Sequence, residues 1–265
     1  MKAMIFAAGL GTRLKPLTDT LPKALVPVSG KPLLEHVARR LMASGIDEAV
    51  VNVHHFADDI EAWISAQEWL CGNLEEKTPG KMLMQVSDER KMLLETGGAV
   101  LHARRYLDGC GNFLIHNVDI LSDCDLPWLM DQVRPDAVGT LVVSSRSTTR
   151  YFLFHPQTLR LVGWTNVKTG ECRMSDPTMS PEDCKAYAFT GIHVLSDRVF
   201  GLMAEYVQES ELPSDECGTR FSIVDFYLWA AAKHPIYGVP VQDLKLLDVG
   251  KLDALGPAEE FVAQG

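Results

Sequence analysis

Gly9, Gly11 and Thr12 follow directly on an apolar run that ends at Ala8, and Arg13, Lys15 and Lys23 come soon after them. Glycines at a strand end let the backbone turn tightly and approach an anion, and the N–H groups exposed in such a turn form an anion-binding nest. Cations on the segment that follows suit a polyphosphate. Pro16, Pro22 and Pro27 fix φ and disfavour helix before them, so this segment is expected to be extended. A plain strand-to-helix turn would explain the glycines but leave the cations unexplained. Two other phosphate motifs fail: a dinucleotide fingerprint needs glycine where Leu14 stands, and no Gly-Lys-Ser/Thr run follows Gly9.

Two further stretches carry polar groups where ligands bind. Residues 94–99 set Gly97 and Gly98 at the start of an amphipathic helix through Val100, Leu101, Tyr106 and Leu107, where a flat base can lie against backbone; the plainer alternative is a tight helix start. Residues 112–117 read as a buried strand running into Asn117, Val118 and Asp119. A carboxylate at the carboxyl end of a central parallel strand can hold a hard cation between phosphates, although an aspartate there also serves as a turn or cap residue. Asp123 and Asp125 read as such residues, with Asp125 as the N-cap of a helix through Trp128 and Met130. His54 and His55 close a strand at residues 49–53. Metal ligands on one strand face would be two residues apart, so the pair reads as a hydrogen-bonded terminus.

From Gly9 to Val28 the chain reads G-L-G-T-R-x-x-P-x-T-x-x-x-P-K-x-x-x-P-V, which resembles the signature of the sugar-1-phosphate nucleotidyltransferase family. The resemblance implies that Ala8, Gly9, Gly11, Thr12 and Arg13 hold a triphosphate and that Lys23 contacts a phosphate. It implies that Glu95, Thr96, Gly97 and Gly98 lie against the nucleobase, in the variant found in the small, single-domain uridylyl- and guanylyltransferases. Asn117 and Asp119 match the N-x-D setting in which the aspartate binds Mg²⁺. Asp248, in residues 245–250, matches the second metal aspartate, with Lys251 where the family usually has threonine. Gly191 matches a strand glycine that permits close sugar approach; a packing role is the alternative. The family's Glu-Lys-Pro, whose lysine contacts the sugar phosphate, is replaced by Trp164-Thr165-Asn166-Val167-Lys168, so Lys168 either substitutes from a shifted position or is a solvated loop lysine. The implied reaction joins a sugar 1-phosphate to a nucleoside triphosphate, UTP or GTP favoured, with Mg²⁺ and release of pyrophosphate. Two rivals remain: a phosphocholine-type cytidylyltransferase, which shares the signature and for which Trp164 and Tyr187 would supply cation–π contacts, and a non-catalytic nucleotide-binding regulatory subunit.

The elements that must position these residues alternate between strand and helix. Helices are expected at 32–45, 58–70, 197–207 and 223–233, and strands at 3–8, 49–53, 82–86, 112–117, 137–144 and 187–195. A hairpin is expected at 151–155 and 158–164, and surface loops at 71–81 and 171–185. The pattern is α/β, three-layer and mainly parallel with an antiparallel insertion, resembling the Rossmann-like nucleotidyltransferase fold. A single catalytic domain over 1–265 is expected, without hexapeptide repeats. The net charge of −10 disfavours nucleic acid and anionic membranes as partners, yet residues 1–34 carry +4 against −14 for the remainder. Six cysteines without C-x-x-C spacing read as free thiols, and no signal-peptide pattern precedes the first strand. A cytoplasmic protein is expected, and a homo-oligomer is allowed.

Overall fold

Strand Lys2–Phe6 is buried on both faces because it lies at the centre of a sheet covered by helices on either side. In the structure, a computed structural model that describes residues 1–264, parallel strands Glu48–Val53 and Asn112–Asn117 flank it, with Met4 opposite Val50 and Ile115. Met82–Asp88 continues the parallel set beyond Glu48–Val53. Successive side chains of a strand point to opposite faces. Ala3 and Ile5 therefore join one core with Leu34, Val37 and Leu41 of helix Leu33–Ala43, while Met4 joins the other with Phe113, Ile115 and Phe226. This is the expected three-layer α/β architecture, and it brings the carboxyl ends Phe6, Val53 and Asn117 to one edge.

Beyond Asn112–Asn117 the sheet turns antiparallel. Lys185–Ser196 pairs with it, Gly139–Ser144 pairs with Lys185–Ser196, and Ile236–Pro240 runs parallel to Gly139–Ser144. The expected hairpin forms from Arg150–Phe154 and Leu161–Asn166 and joins the start of Lys185–Ser196.

Several expectations are corrected. Residues 12–25 are not extended but fold into three successive 3-10 turns, Thr12–Leu14, Leu17–Asp19 and Lys23–Leu25. A proline's fixed φ fits a 3-10 turn as well as an extended chain, and the turns satisfy backbone donors locally: Leu14 N–H donates to Gly11 O (2.8 Å) and Leu25 N–H to Pro22 O (2.9 Å). The helix expected over 58–70 is Ala57–Ser65, and Leu70–Cys71 forms an edge strand on Met82–Asp88. Trp63 and Trp69 pack edge to face, so the apolar spacing that suggested a longer helix serves a side-chain contact across the turn. Glu171–Met174, expected as loop, pairs with Leu161–Asn166. Helix Leu255–Gln264, which the sequence reading did not anticipate, buries Ala258 against the first core.

Candidate active site

The glycine loop leaves Lys2–Phe6 through buried Ala7 and Ala8. A Cβ at Gly9 would meet nothing within 4 Å, so that backbone faces open space. Gly11 is different: its φ is 62° and a Cβ there would press on Thr18 Cγ2 at 2.7 Å, while Thr18 Oγ1 donates to Gly11 O at 2.8 Å. Only glycine permits both the left-handed turn and this approach. Arg13 sits in the first 3-10 turn, half exposed, with Nη2 3.8 Å from Asp248 Oδ2. Lys23, in the third turn, is nearly buried and forms an ion pair with Asp119. Lys15 turns away to pair with Asp19 at 2.9 Å.

Asp119 and Asp248 are brought together by backbone pairing. Strand Leu246–Asp248 runs antiparallel to Ile120–Ser122 with Asp248 opposite Ile120, and Val249 N–H donates to Asp119 O at 2.8 Å. A Cβ on Gly250 would lie 2.5 Å from both Asp248 Oδ1 and Arg13 Nη2, so glycine makes room for that pair. Among the described residues no group of three or more His, Cys, Asp or Glu converges as a metal cage. Asp119 lines a cavity and Asp248 neighbours it through the backbone pairing; Mg²⁺ is commonly bound through one or two carboxylates and completed by phosphate oxygens and water, so these donors fit it. Asp123 accepts from Lys245 N–H and Asp125 caps its helix through Trp128 N–H, as expected of turn and cap residues.

A cavity of about 400 Å³ opens at the carboxyl edge of the sheet, lined by Ala8, Gly9, Lys23, Glu95, Thr96, Asn117 and Asp119 from the anticipated set, with Phe6, Asn52, Leu93 and Val118. A second cavity of about 460 Å³, lined by His155, Arg160 and Asp176, holds none of the anticipated residues. Gly97 and Gly98 do not line the first one. Their N–H groups donate to Phe221 O, and a Cβ on Gly97 would strike the Phe221 ring and one on Gly98 the Thr219 carbonyl. These glycines let residues 219–221 lie against the helix Glu95–His102. Glu95 itself has φ 59°, uncommon for a residue with a side chain, and its carboxylate accepts from Arg220 Nε at 2.9 Å. Thr96 Oγ1 accepts from Ile223 N–H at 3.0 Å. Gly191, at φ 80°, leaves space for the Asn117 side chain, which a Cβ would meet at 2.6 Å.

Lys168 stands on an exposed turn with its backbone N–H on Asn166 Oδ1. The Trp164 ring is covered by the Arg173 guanidinium at 4.7 Å, and Tyr187 packs on Phe154. His54 donates through Nδ1 to Glu89 O (2.7 Å), as expected of a strand terminus. Sequence reading missed Asn52, Glu89 and Arg220. The available signal for Asn52 is a lone amide inside an otherwise apolar strand, Ala49-Val50-Val51-Asn52-Val53. Behind the cavity, burial lowers the His116 and His193 pKa values to about 4 and about 3.

Residues 2–153 match the nucleotidyl transferase family, and the chain belongs to it. In sequence it is similar to the N-acetylmuramate alpha-1-phosphate uridylyltransferase of Caulobacter vibrioides, 47% identical over 117 residues that cover 44% of this chain and 45% of that protein. It is also similar to the mannose-1-phosphate guanylyltransferase catalytic subunit beta of Danio rerio, 31% identical over 147 residues, 54% of this chain and 38% of that protein. The matched stretch thus spans less than half the length of either relative. In fold it is similar to a UDP-glucose pyrophosphorylase from Acinetobacter baumanii, with a TM-score of 0.72 at 18% identity, covering 97% of this chain and 91% of that one. No helix among the described residues is long and apolar enough to cross a membrane.

Proposed function

We propose that this protein transfers a nucleoside monophosphate from a nucleoside triphosphate to a sugar 1-phosphate and releases pyrophosphate. The observation that carries this reading is the meeting of Gly9, Lys23 and Asp119 on one cavity, with Asp248 placed beside Asp119 by strand pairing and Arg13 ion-paired to Asp248. The attacking phosphate oxygen is ionised at neutral pH, so no general base is needed and catalysis reduces to alignment and charge neutralisation. The N–H groups of residues 9–12 and Arg13 stabilise the departing pyrophosphate, and Lys23 offsets charge on the reacting phosphates. Asp119 and Asp248 would hold Mg²⁺, which when bound neutralises phosphate oxygens. Lys23 pairs with Asp119 and Arg13 with Asp248, so the cations assigned to the phosphates stand next to the carboxylates that would hold Mg²⁺.

UTP is favoured as donor with GTP next, on the Glu95-Thr96-Gly97-Gly98 run and the likeness to a uridylyltransferase and a guanylyltransferase. A cytoplasmic setting is supported by the free thiols and by a nucleotide donor. A choline acceptor is disfavoured because Arg173 already occupies the Trp164 face, and a regulatory subunit is disfavoured because both aspartates are present. The test is a pyrophosphate-release screen crossing ATP, CTP, GTP, UTP and dTTP with a panel of sugar 1-phosphates and phosphocholine. Release with UTP or GTP and a sugar 1-phosphate is expected. Release only with CTP and phosphocholine, or none at all, overturns the proposal.

A further inference from the structure

Glu89 is 2% exposed, yet it belongs to none of the motifs that mark the cavity. Its carboxylate is the centre of a buried hydrogen-bond chain. Ala7 N–H, at the start of the glycine loop, donates to Asn52 Oδ1 at 2.8 Å. Asn52 Nδ2 donates to Glu89 Oε1 at 2.8 Å, and Leu94 N–H, just before Glu95 and Thr96, donates to Glu89 Oε2 at 3.2 Å. The backbone of Glu89 is pinned as well, with its N–H on Val53 O (2.8 Å) and its carbonyl taking Met92 N–H (3.0 Å). Burial pushes the Glu89 carboxyl up, while the donors from Asn52 and Leu94 act the other way.

The chain has a fixed polarity. Because Ala7 N–H needs an acceptor, the Asn52 amide must turn its oxygen to the loop and its NH₂ to Glu89. Both Glu89 oxygens are then acceptors, and neither can be replaced by a donor without leaving a buried polar group unpaired. The two ends of this chain are the two walls of the cavity: the loop that begins at Ala7, and the Leu93–Thr96 turn.

We propose that Glu89 is a positioning residue that, through Asn52, fixes the glycine loop relative to the 93–96 turn, so that triphosphate and nucleoside are held in register. The inference rests on the proposed nucleotide-binding reading of the cavity. Small displacements of positioning groups weaken binding and rate out of proportion to their size.

The test uses Glu89→Gln, Asn52→Asp and the double variant, measured by calorimetric binding of the Mg²⁺ complex of whichever of the five triphosphates the unmutated protein binds most tightly, alongside melting temperature. Glu89→Gln sets a donor against a donor and is expected to weaken binding about tenfold. Asn52→Asp sets two carboxylates face to face and is expected to weaken it at least as much. In the double variant the carboxylate at position 52 accepts from Ala7 N–H and from the amide NH₂ at position 89, while the amide oxygen at position 89 accepts from Leu94 N–H. Every bond of the chain then regains a donor and an acceptor. The double variant is expected to bind about tenfold more tightly than Asn52→Asp alone, both carrying the same carboxylate in the cavity. A purely structural role would move melting temperature and leave the affinity of the folded variants unchanged. Unchanged affinity in folded Glu89→Gln, or no recovery in the double variant, overturns the inference. An unmutated protein that binds a triphosphate but releases no pyrophosphate overturns only the proposed reaction; one that binds none of the five overturns both.

Discussion

Lys23 and Asp119 shield each other in a nearly dry position, whereas Arg13 and Asp248 meet at longer range with about half of each side chain exposed. An exposed pair at that range is worth roughly 1 kcal/mol or less, so its interest is chemical. Under the proposed reaction Asp119→Asn removes a cation ligand while its amide oxygen still accepts from Lys23. Turnover should fall by about a hundredfold or more with the fold intact, and near-normal turnover at ordinary Mg²⁺ would refute the assignment. Under the same reaction Arg13→Ala removes a cation from the leaving pyrophosphate. It should impair handling of the triphosphate more than that of the sugar phosphate, and an effect confined to the sugar-phosphate KM would contradict it.

At the level of elements, the glycines of helix Glu95–His102 matter because residues 219–221 lie directly on them. Gly98→Ala must displace the Thr219 carbonyl, and Thr96 on the same turn caps helix Ile223–Ala231. A loss of about 1–3 kcal/mol is expected, as for overpacking elsewhere, together with weaker triphosphate binding. Gly201 in helix Val199–Glu209 is the contrasting case, since a Cβ there would meet nothing. Gly201→Ala should be neutral or stabilising by up to about 1 kcal/mol. Urea denaturation of both variants separates the two roles, and equal effects would show that the 219–221 contact carries little weight.

For the molecule as a whole, His116 and His193 set an acid limit. His116 Nδ1 donates to Asn117 O, and among the described residues neither ring nitrogen of His193 has a partner. Both rings are buried and neutral, with pKa values lowered by burial to about 4 and about 3 from 6.5. The unfolded chain therefore binds more protons between those values and 6.5. Their contribution to stability is flat above about pH 6.5 and is lost as pH falls toward 4 and then 3, on the order of 3 kcal/mol for His116 alone. Glu89 has the opposite sign, since a raised carboxyl pKa favours the folded state at low pH. Denaturation midpoints at pH 7, 5 and 4 should fall with pH, and His193→Leu should flatten the slope. An unchanged slope in that variant would remove His193 from the account.

The α/β alternation and the glycine loop with its cations were legible in the amino-acid order alone, because each depends on local chemistry: apolar runs and turn-forming residues; Asp119 and Asp248 stood out only through the resemblance of their surroundings to the family's motifs. Asp125 as a helix cap and the 151–164 hairpin were legible for the same reason. What depends on partners distant in the chain was settled only by folding. Residues 12–25 became 3-10 turns where proline φ allowed two outcomes. Glu171–Met174 became a strand only because Leu161–Asn166 offered it an edge. Gly97 and Gly98, legible as a helix start, were needed for a segment more than a hundred residues later, and Asn52 and Glu89 gained meaning only when Ala7 and Leu94 came within hydrogen-bond reach of them. A donor or acceptor is written in the sequence; the group that satisfies it is fixed only when the sheet brings the two together.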